Sequence, residues 1–119
     1  MVWDSSCYYL VQQSMSQSDA SAACNVLGSH LAVITSAAEN AAITNYLQTT
    51  GYTNWVHLGA TDNAVEGTYV WETGEAFVYL GWEIGQPQGG SSENCCVTRY
   101  DGKWHDVNCN SLVGYLCEI

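Results

Sequence analysis

The chain is expected to fold as α+β, and three observations say so. Two segments with helical spacing and capping residues lie in the first half. Short apolar runs separated by turn residues fill the second half. The resulting order, β-α-β-α and then several short strands, is that of helices packed on a mostly antiparallel sheet. At 119 residues the chain has the size of one domain, residues 1–119, large enough for a core of its own.

The elements follow in order. Cys7 to Gln12 is rich in aromatic and apolar residues and reads as a strand. Ser16 to Leu27 reads as a helix, capped by Ser16 or Ser18, with Ala20, Ala23, Cys24 and Leu27 as its apolar stripe and Gly28 as its stop. Leu31 to Ile34 is a short apolar strand. Ser36 with Glu39 forms a capping box and opens a second helix to about Leu47, with Ile43, Tyr46 and Leu47 facing inward. From Trp55 the period changes: W-V-H-L-G is a strand, residues 60–67 a polar turn, and T-Y-V-W-E a strand closed by Thr73-Gly74. Gly81 to Asn94 is a glycine- and serine-rich loop, too long for a plain connector. Cys96 to Tyr100 and Lys103 to Asp106 pair as a hairpin in which Asp101-Gly102 predicts a type I′ turn. Gly114 to Glu118 is the last strand.

Charge narrows the function. Two basic residues face twelve acidic ones, a formal charge of −10, which excludes binding to a nucleic-acid backbone and disfavours an anionic membrane surface. No apolar run is long enough to insert in a membrane. Six cysteines in this length point to disulfides and an oxidising, extracellular setting. No basic stretch precedes an apolar one at the start, so any signal peptide is expected to have been removed. No N-x-S/T acceptor occurs. The histidines His30, His57 and His105 have no nucleophile in a recognisable local signature, and neither H-E-x-x-H nor a phosphate-binding glycine loop is present, so an enzyme is not expected.

Oxygen donors concentrate in the last third. Gln86, Gln88 and Glu93 lie on the long loop and Asp106 beside Trp104. Amides and carboxylates converging from a loop and a neighbouring strand suit calcium, which takes six to eight oxygens and lets water fill the remainder. Pro87 between the two glutamines fixes the backbone, with a cis bond as one option, and aims both side chains the same way.

In this order the motifs resemble the C-type lectin-like domain over nearly the whole chain. W-V-H-L-G at Trp55–Gly59, E-G-x-x-x-W at Glu66–Trp71, W-x-x-G-Q-P at Trp82–Pro87 and W-x-D-x-x-C at Trp104–Cys109 follow the family's succession, with the cysteines in register. The resemblance implies two helices flanking antiparallel sheets, a long calcium-binding loop, and disulfides Cys24–Cys117 and Cys95–Cys109. It implies that Gln86, Gln88, Glu93, His105 and Asp106 bind calcium, and that Gln86, Gln88, Glu93 and His105 also hydrogen-bond two vicinal hydroxyls of a mono- or oligosaccharide. A second metal site would use Asp62, Glu66 and Asn94, unless Asp62 and Glu66 are only a solvated turn. Secreted single domains of this family hint at innate recognition.

The chain also departs from the pattern. It has Q-P-Q where mannose-type sites have E-P-N and galactose-type sites Q-P-D, so Gln86 leans toward galactose-type ligands. It has W-H-D in place of W-N-D, and Gly89 where the loop often supplies a carboxylate. Imidazole suits zinc better than calcium, which leaves three placements for His105: turned away, bonded to the sugar, or ligating zinc. Cys7 and Cys96 remain, either paired with each other or linking two copies into a homodimer, which would add avidity to a shallow site. Two functions follow, a calcium-dependent carbohydrate-binding lectin or the same fold binding protein, ice or mineral.

Overall fold

The structure is a computed structural model that describes the backbone of residues 1–119 and every side chain except that of Ser91. Its strands are β1 (Val2–Trp3), β2 (Ser6–Met15), β3 (His30–Leu31), β4 (Val56–Thr61), β5 (Val70–Trp71), β6 (Cys95–Thr98), β7 (His105–Val107) and β8 (Val113–Glu118), and its helices α1 (Gln17–Val26) and α2 (Ala37–Thr50). The sheet runs β1-β2-β8-β4-β6-β7, with β3 added on β8 and β5 on β4. Pairing is antiparallel except between β4 and β8, where Val56 meets Gly114 and His57 meets Tyr115 in parallel.

Local chemistry sets the helix ends. The Ser16 hydroxyl accepts from Asp19 N at 3.4 Å to start α1, and Ser36 accepts from Glu39 N at 3.1 Å to start α2. The α2 helix runs one turn past the expected Leu47, because Gly51, at φ 75°, provides the left-handed cap that closes it. In α1, Ala20 and Cys24 are buried, but Leu27 is 62% exposed because it is the C-cap, where the helix has ended.

Two strand expectations and one turn expectation are corrected. The segment expected as Leu31–Ile34 forms a ladder only over His30–Leu31; Ala32, Val33 and Ile34 are buried where the chain crosses between β8 and β4. There Ala32 N donates to Leu116 O at 2.9 Å and Gly59 N to Ala32 O at 3.0 Å. The T-Y-V-W-E strand shortens to Val70–Trp71. Asp101 does not take the positive φ that a type I′ turn requires. The turn centres instead on Tyr100-Asp101, with Gly102 N donating to Arg99 O at 2.9 Å and Gly102 following at φ 75°.

The core has an aromatic centre. The Trp104 ring meets Trp71, Tyr79 and Trp82 edge-on, at 5.7, 5.6 and 5.8 Å between centroids. The Trp104 indole N–H donates to Asn40 Oδ1 at 3.0 Å, which ties α2 to this cluster. Gly81 has to be glycine here, since a Cβ on it would lie 2.5 Å from the Trp104 ring. Disulfides join Cys24 to Cys117, fastening α1 to β8, and Cys95 to Cys109, closing a short loop beside β6. Cys7 is free and exposed, and Cys96 is free and buried, so the two do not pair.

Candidate functional site

Strand register brings the site together. Thr61 at the end of β4 pairs with Cys95 on β6, and Cys95 and Cys96 pair with Val107 and Asp106 on β7. Asp62, leaving β4, therefore comes onto the same rim as Asp106, although the two are far apart in sequence. The loop carrying Gln86, Pro87 and Gln88 folds over this rim, with a cis bond between Gln86 and Pro87.

Asp106 anchors that loop. It is 5% exposed, and its carboxylate accepts from Gln88 N at 3.1 and 3.0 Å and from Gly89 N at 2.7 Å. The Asp106 N–H in turn donates to Gln86 Oε1 at 3.4 Å. Charge-assisted bonds of this kind are about twice as strong as neutral ones.

Asp62 is buried differently. It is 3% exposed; its Oδ2 accepts from Gly67 N at 2.8 Å, while its Oδ1 has no hydrogen-bond partner among the described residues. A buried carboxylate oxygen without a donor is costly and rare in native proteins. Both aspartates open onto a cavity of about 220 Å³, lined also by Glu66, Tyr69, Pro87 and Gln88.

The cavity is electronegative. Glu66 is raised above the ordinary carboxylate range by desolvation first, then by the Asp62 carboxylate and, more weakly, by Asp106. The Tyr69 phenol is pushed well above its usual range, first by burial and then by Asp62 and Asp106. Tyr69 O–H donates to Glu93 O at 3.2 Å and so joins the cavity wall to the loop.

The expected residues divide into two groups. Gln88 and Asp106 from the first expected set, and Asp62 and Glu66 from the second, line one cavity. Gln86 lies behind the rim on Asp106 N. Glu93 is not part of the lining, and Asn94 joins through its backbone oxygen, which accepts from Asp62 N at 3.1 Å. His105 faces elsewhere: its ring packs 4.6 Å from that of Trp55, and its Nε2 lies 3.5 Å from Glu83. Adjacent residues of a strand point to opposite faces, and Arg99 stacks on the same Trp55 ring at 4.2 Å. Of the three placements left open by the sequence, His105 takes the one turned away, which removes the nitrogen donor on which the zinc alternative rested.

The donors present suit calcium better than zinc. Among the described residues, no three His, Cys, Asp or Glu side chains stand at metal-binding spacing, so the carboxylates line the cavity without forming a closed cage. Zinc wants a fixed tetrahedral set of nitrogen and sulfur ligands. Calcium accepts oxygens from carboxylates, amides, backbone and water in flexible geometry. Sequence reasoning missed Tyr69, although alternation in T-Y-V-W-E puts Tyr69 on the face of Trp71, opposite the exposed Val70.

Known proteins share this architecture. The profile described as Lectin C-type domain matches residues 13–119, and the chain belongs to that family. Lectin BRA-3 of Megabalanus rosa is 33% identical over 98% of this chain and 73% of its own length. The carbohydrate-recognition domain of the mouse scavenger receptor C-type lectin superposes with a TM-score of 0.91 at 29% identity, covering 100% of this chain and 91% of that one. A calcium-independent type II antifreeze protein superposes with a TM-score of 0.90 at 25% identity, covering 100% of this chain and 89% of that one. The fold is that of a ligand-binding module and not of an enzyme. No helix among the described residues is long and apolar enough to cross a membrane.

Proposed function

We propose that this chain is a calcium-dependent carbohydrate-binding domain whose ion enters the cavity at Asp62, with water completing the coordination that the open lining leaves unfilled. The observation that carries this reading is the buried, unpartnered Oδ1 of Asp62 facing a cavity with two further carboxylates on its wall. A bound calcium offers open coordination positions that sugar hydroxyls can fill. The protein's part is to present the loop: Asp106 grips Gln88 N and Gly89 N, so Gln88 stands at the cavity mouth in a fixed orientation. Few charged ligands and an open cavity imply weak affinity, on the order of 10⁻⁴ to 10⁻³ M for calcium.

Gln86 favours galactose-type ligands over mannose-type ones, by resemblance to the Q-P-D pattern. The test is retention on immobilised galactose and mannose in calcium, followed by chelator. Retention on galactose with release by chelator is expected. Retention that survives chelator, or none on either sugar, would overturn the reading.

One observation favours a second reading, a ligand other than a sugar. Gln86 Oε1 and both Asp106 oxygens already accept hydrogen bonds inside the protein, which leaves fewer groups for hydroxyls. Likeness to an antifreeze protein points the same way. Secretion is supported by the two disulfides. Of the free cysteines only Cys7 is exposed, so a covalent homodimer would run through Cys7 and not Cys96.

A further inference from the structure

We propose that Tyr69 is a positioning residue: its hydroxyl ties the closing end of the long loop to the cavity wall and so sets where Gln88 stands for a ligand. This rests on reading the cavity and its loop as the ligand site. Tyr69 lies just before β5 and is 8% exposed. At its far end β4 pairs on one edge with β5, Thr61 to Val70, and on the other with β6, Thr61 to Cys95. Asp62, the next residue, leaves the sheet between these two neighbours. From the β5 side the Tyr69 O–H reaches Glu93 O at 3.2 Å, and Asp62 N donates to Asn94 O at 3.1 Å. Two successive carbonyls at the end of the loop are thereby fixed. The same Tyr69 ring meets Trp82, at the start of the loop, edge-on with centroids 4.9 Å apart. One side chain touches both ends of the loop.

Ring and hydroxyl do separate work. A phenylalanine would fill the same space and keep the edge-on contact with Trp82. Only the hydroxyl can donate to Glu93 O. Upstream of that tie, Asp106 grips Gln88 N and Gly89 N at 3.0 and 2.7 Å. A single 3-10 turn, Gly90–Ser92, separates the grip from the tie, so freedom gained at Glu93 passes directly to Gln88. A loop already held in its binding position costs less to order when a ligand arrives, which raises affinity. Tyr69 acts through the loop and not through a contact of its own with the ligand.

Tyr69→Phe tests this against Tyr46→Phe, which removes a scaffold hydroxyl that accepts from Leu10 N at 3.0 Å. Two readouts are compared: hydrogen exchange of the Gln88 and Gly89 amides in chelator, and frontal chromatography on immobilised galactose in calcium. Tyr69→Phe should speed exchange at both amides and weaken galactose retention, each by about two- to tenfold, the worth of one hydrogen bond. Tyr46→Phe should leave both at wild-type values. Wild-type exchange in Tyr69→Phe, or faster exchange with unchanged retention, would overturn the proposal. So would the same changes in Tyr46→Phe, which would make the effect one of general stability. A wild-type chain that galactose does not retain would count against the carbohydrate reading instead, and the exchange rates would still decide whether Tyr69 holds the loop.

Discussion

Four acidic side chains are buried among the described residues, and they form two contrasting pairs. Glu39 and Glu118 belong to the scaffold, and both of their oxygens have donors. Glu39 accepts from Thr35 N at 2.8 Å and from the Tyr8 hydroxyl, and Glu118 from Val33 N at 3.0 Å and Ser6 Oγ at 2.7 Å. Asp62 and Asp106 belong to the loop end. Asp106 is bonded to the loop backbone, and Asp62 keeps one oxygen buried without a donor. The scaffold uses carboxylates as crosslinks between strands and helix. The loop end holds one carboxylate oxygen short of donors, and the proposed cation site rests on that oxygen.

The scaffold should fail before the loop does. The Cys24–Cys117 bridge spans 93 residues, and replacing both cysteines with alanine should destabilise the fold by about 2–5 kcal/mol in denaturant titrations. The Cys95–Cys109 bridge closes only 14 residues, so its loss should be smaller by about 1–2 kcal/mol on loop entropy alone. Equal losses would mean that the loop end is as integral to stability as the sheet.

A pair of isosteric substitutions sharpens the contrast. Glu118→Gln turns an acceptor into an amide that faces either Val33 N–H or Ser6 O–H, and should lose about 1–3 kcal/mol. Asp62→Asn keeps an acceptor for Gly67 N and changes only the unpartnered oxygen, so stability without calcium should move by less than about 1 kcal/mol. If Asp62→Asn were the more disruptive of the two, Asp62 would be a crosslink like Glu118.

The smallest effect expected is a pH dependence confined to the scaffold. His57 is fully buried, and its Nε2–H donates to Met15 O at 2.9 Å and Ser111 O at 3.1 Å. Burial is the larger influence and lowers its pKa below the usual value; the two carbonyls only partly offset it. The folded state therefore prefers neutral imidazole. Its contribution to stability is complete above the unfolded value of about 6.5 and declines as pH falls below it toward the folded pKa. Melting curves between neutral and mildly acid pH should show this slope, and His57→Gln should flatten it.

The fold was legible where its signals are local. Ser16, and Ser36 with Glu39, marked both helix starts because a cap is a short-range hydrogen bond. The end of α2 was less legible, since the αL role of Gly51 shows only in its φ. Strand limits around Ala32 and Tyr69 depend on partners distant in sequence, and single-chain patterning does not carry those partners. At the site, Asp62, Glu66, Gln88 and Asp106 could be named from motifs. Their union in one cavity could not, because it follows from the β4-β6-β7 register. The direction of His105 depends on Trp55 and Glu83. In the sequence Gly89 stood out only as a missing carboxylate, and its closeness to Glu93 emerges only in the structure.

The most direct test of the cavity is calcium titration followed by melting temperature, comparing the chelator-stripped wild-type chain with Asp62→Asn. Calcium should raise the wild-type melting temperature in a saturable way, while Asp62→Asn should melt at nearly the same temperature without calcium and gain little when calcium is added. Equal stabilisation of both chains by calcium would place the ion elsewhere and contradict the central claim.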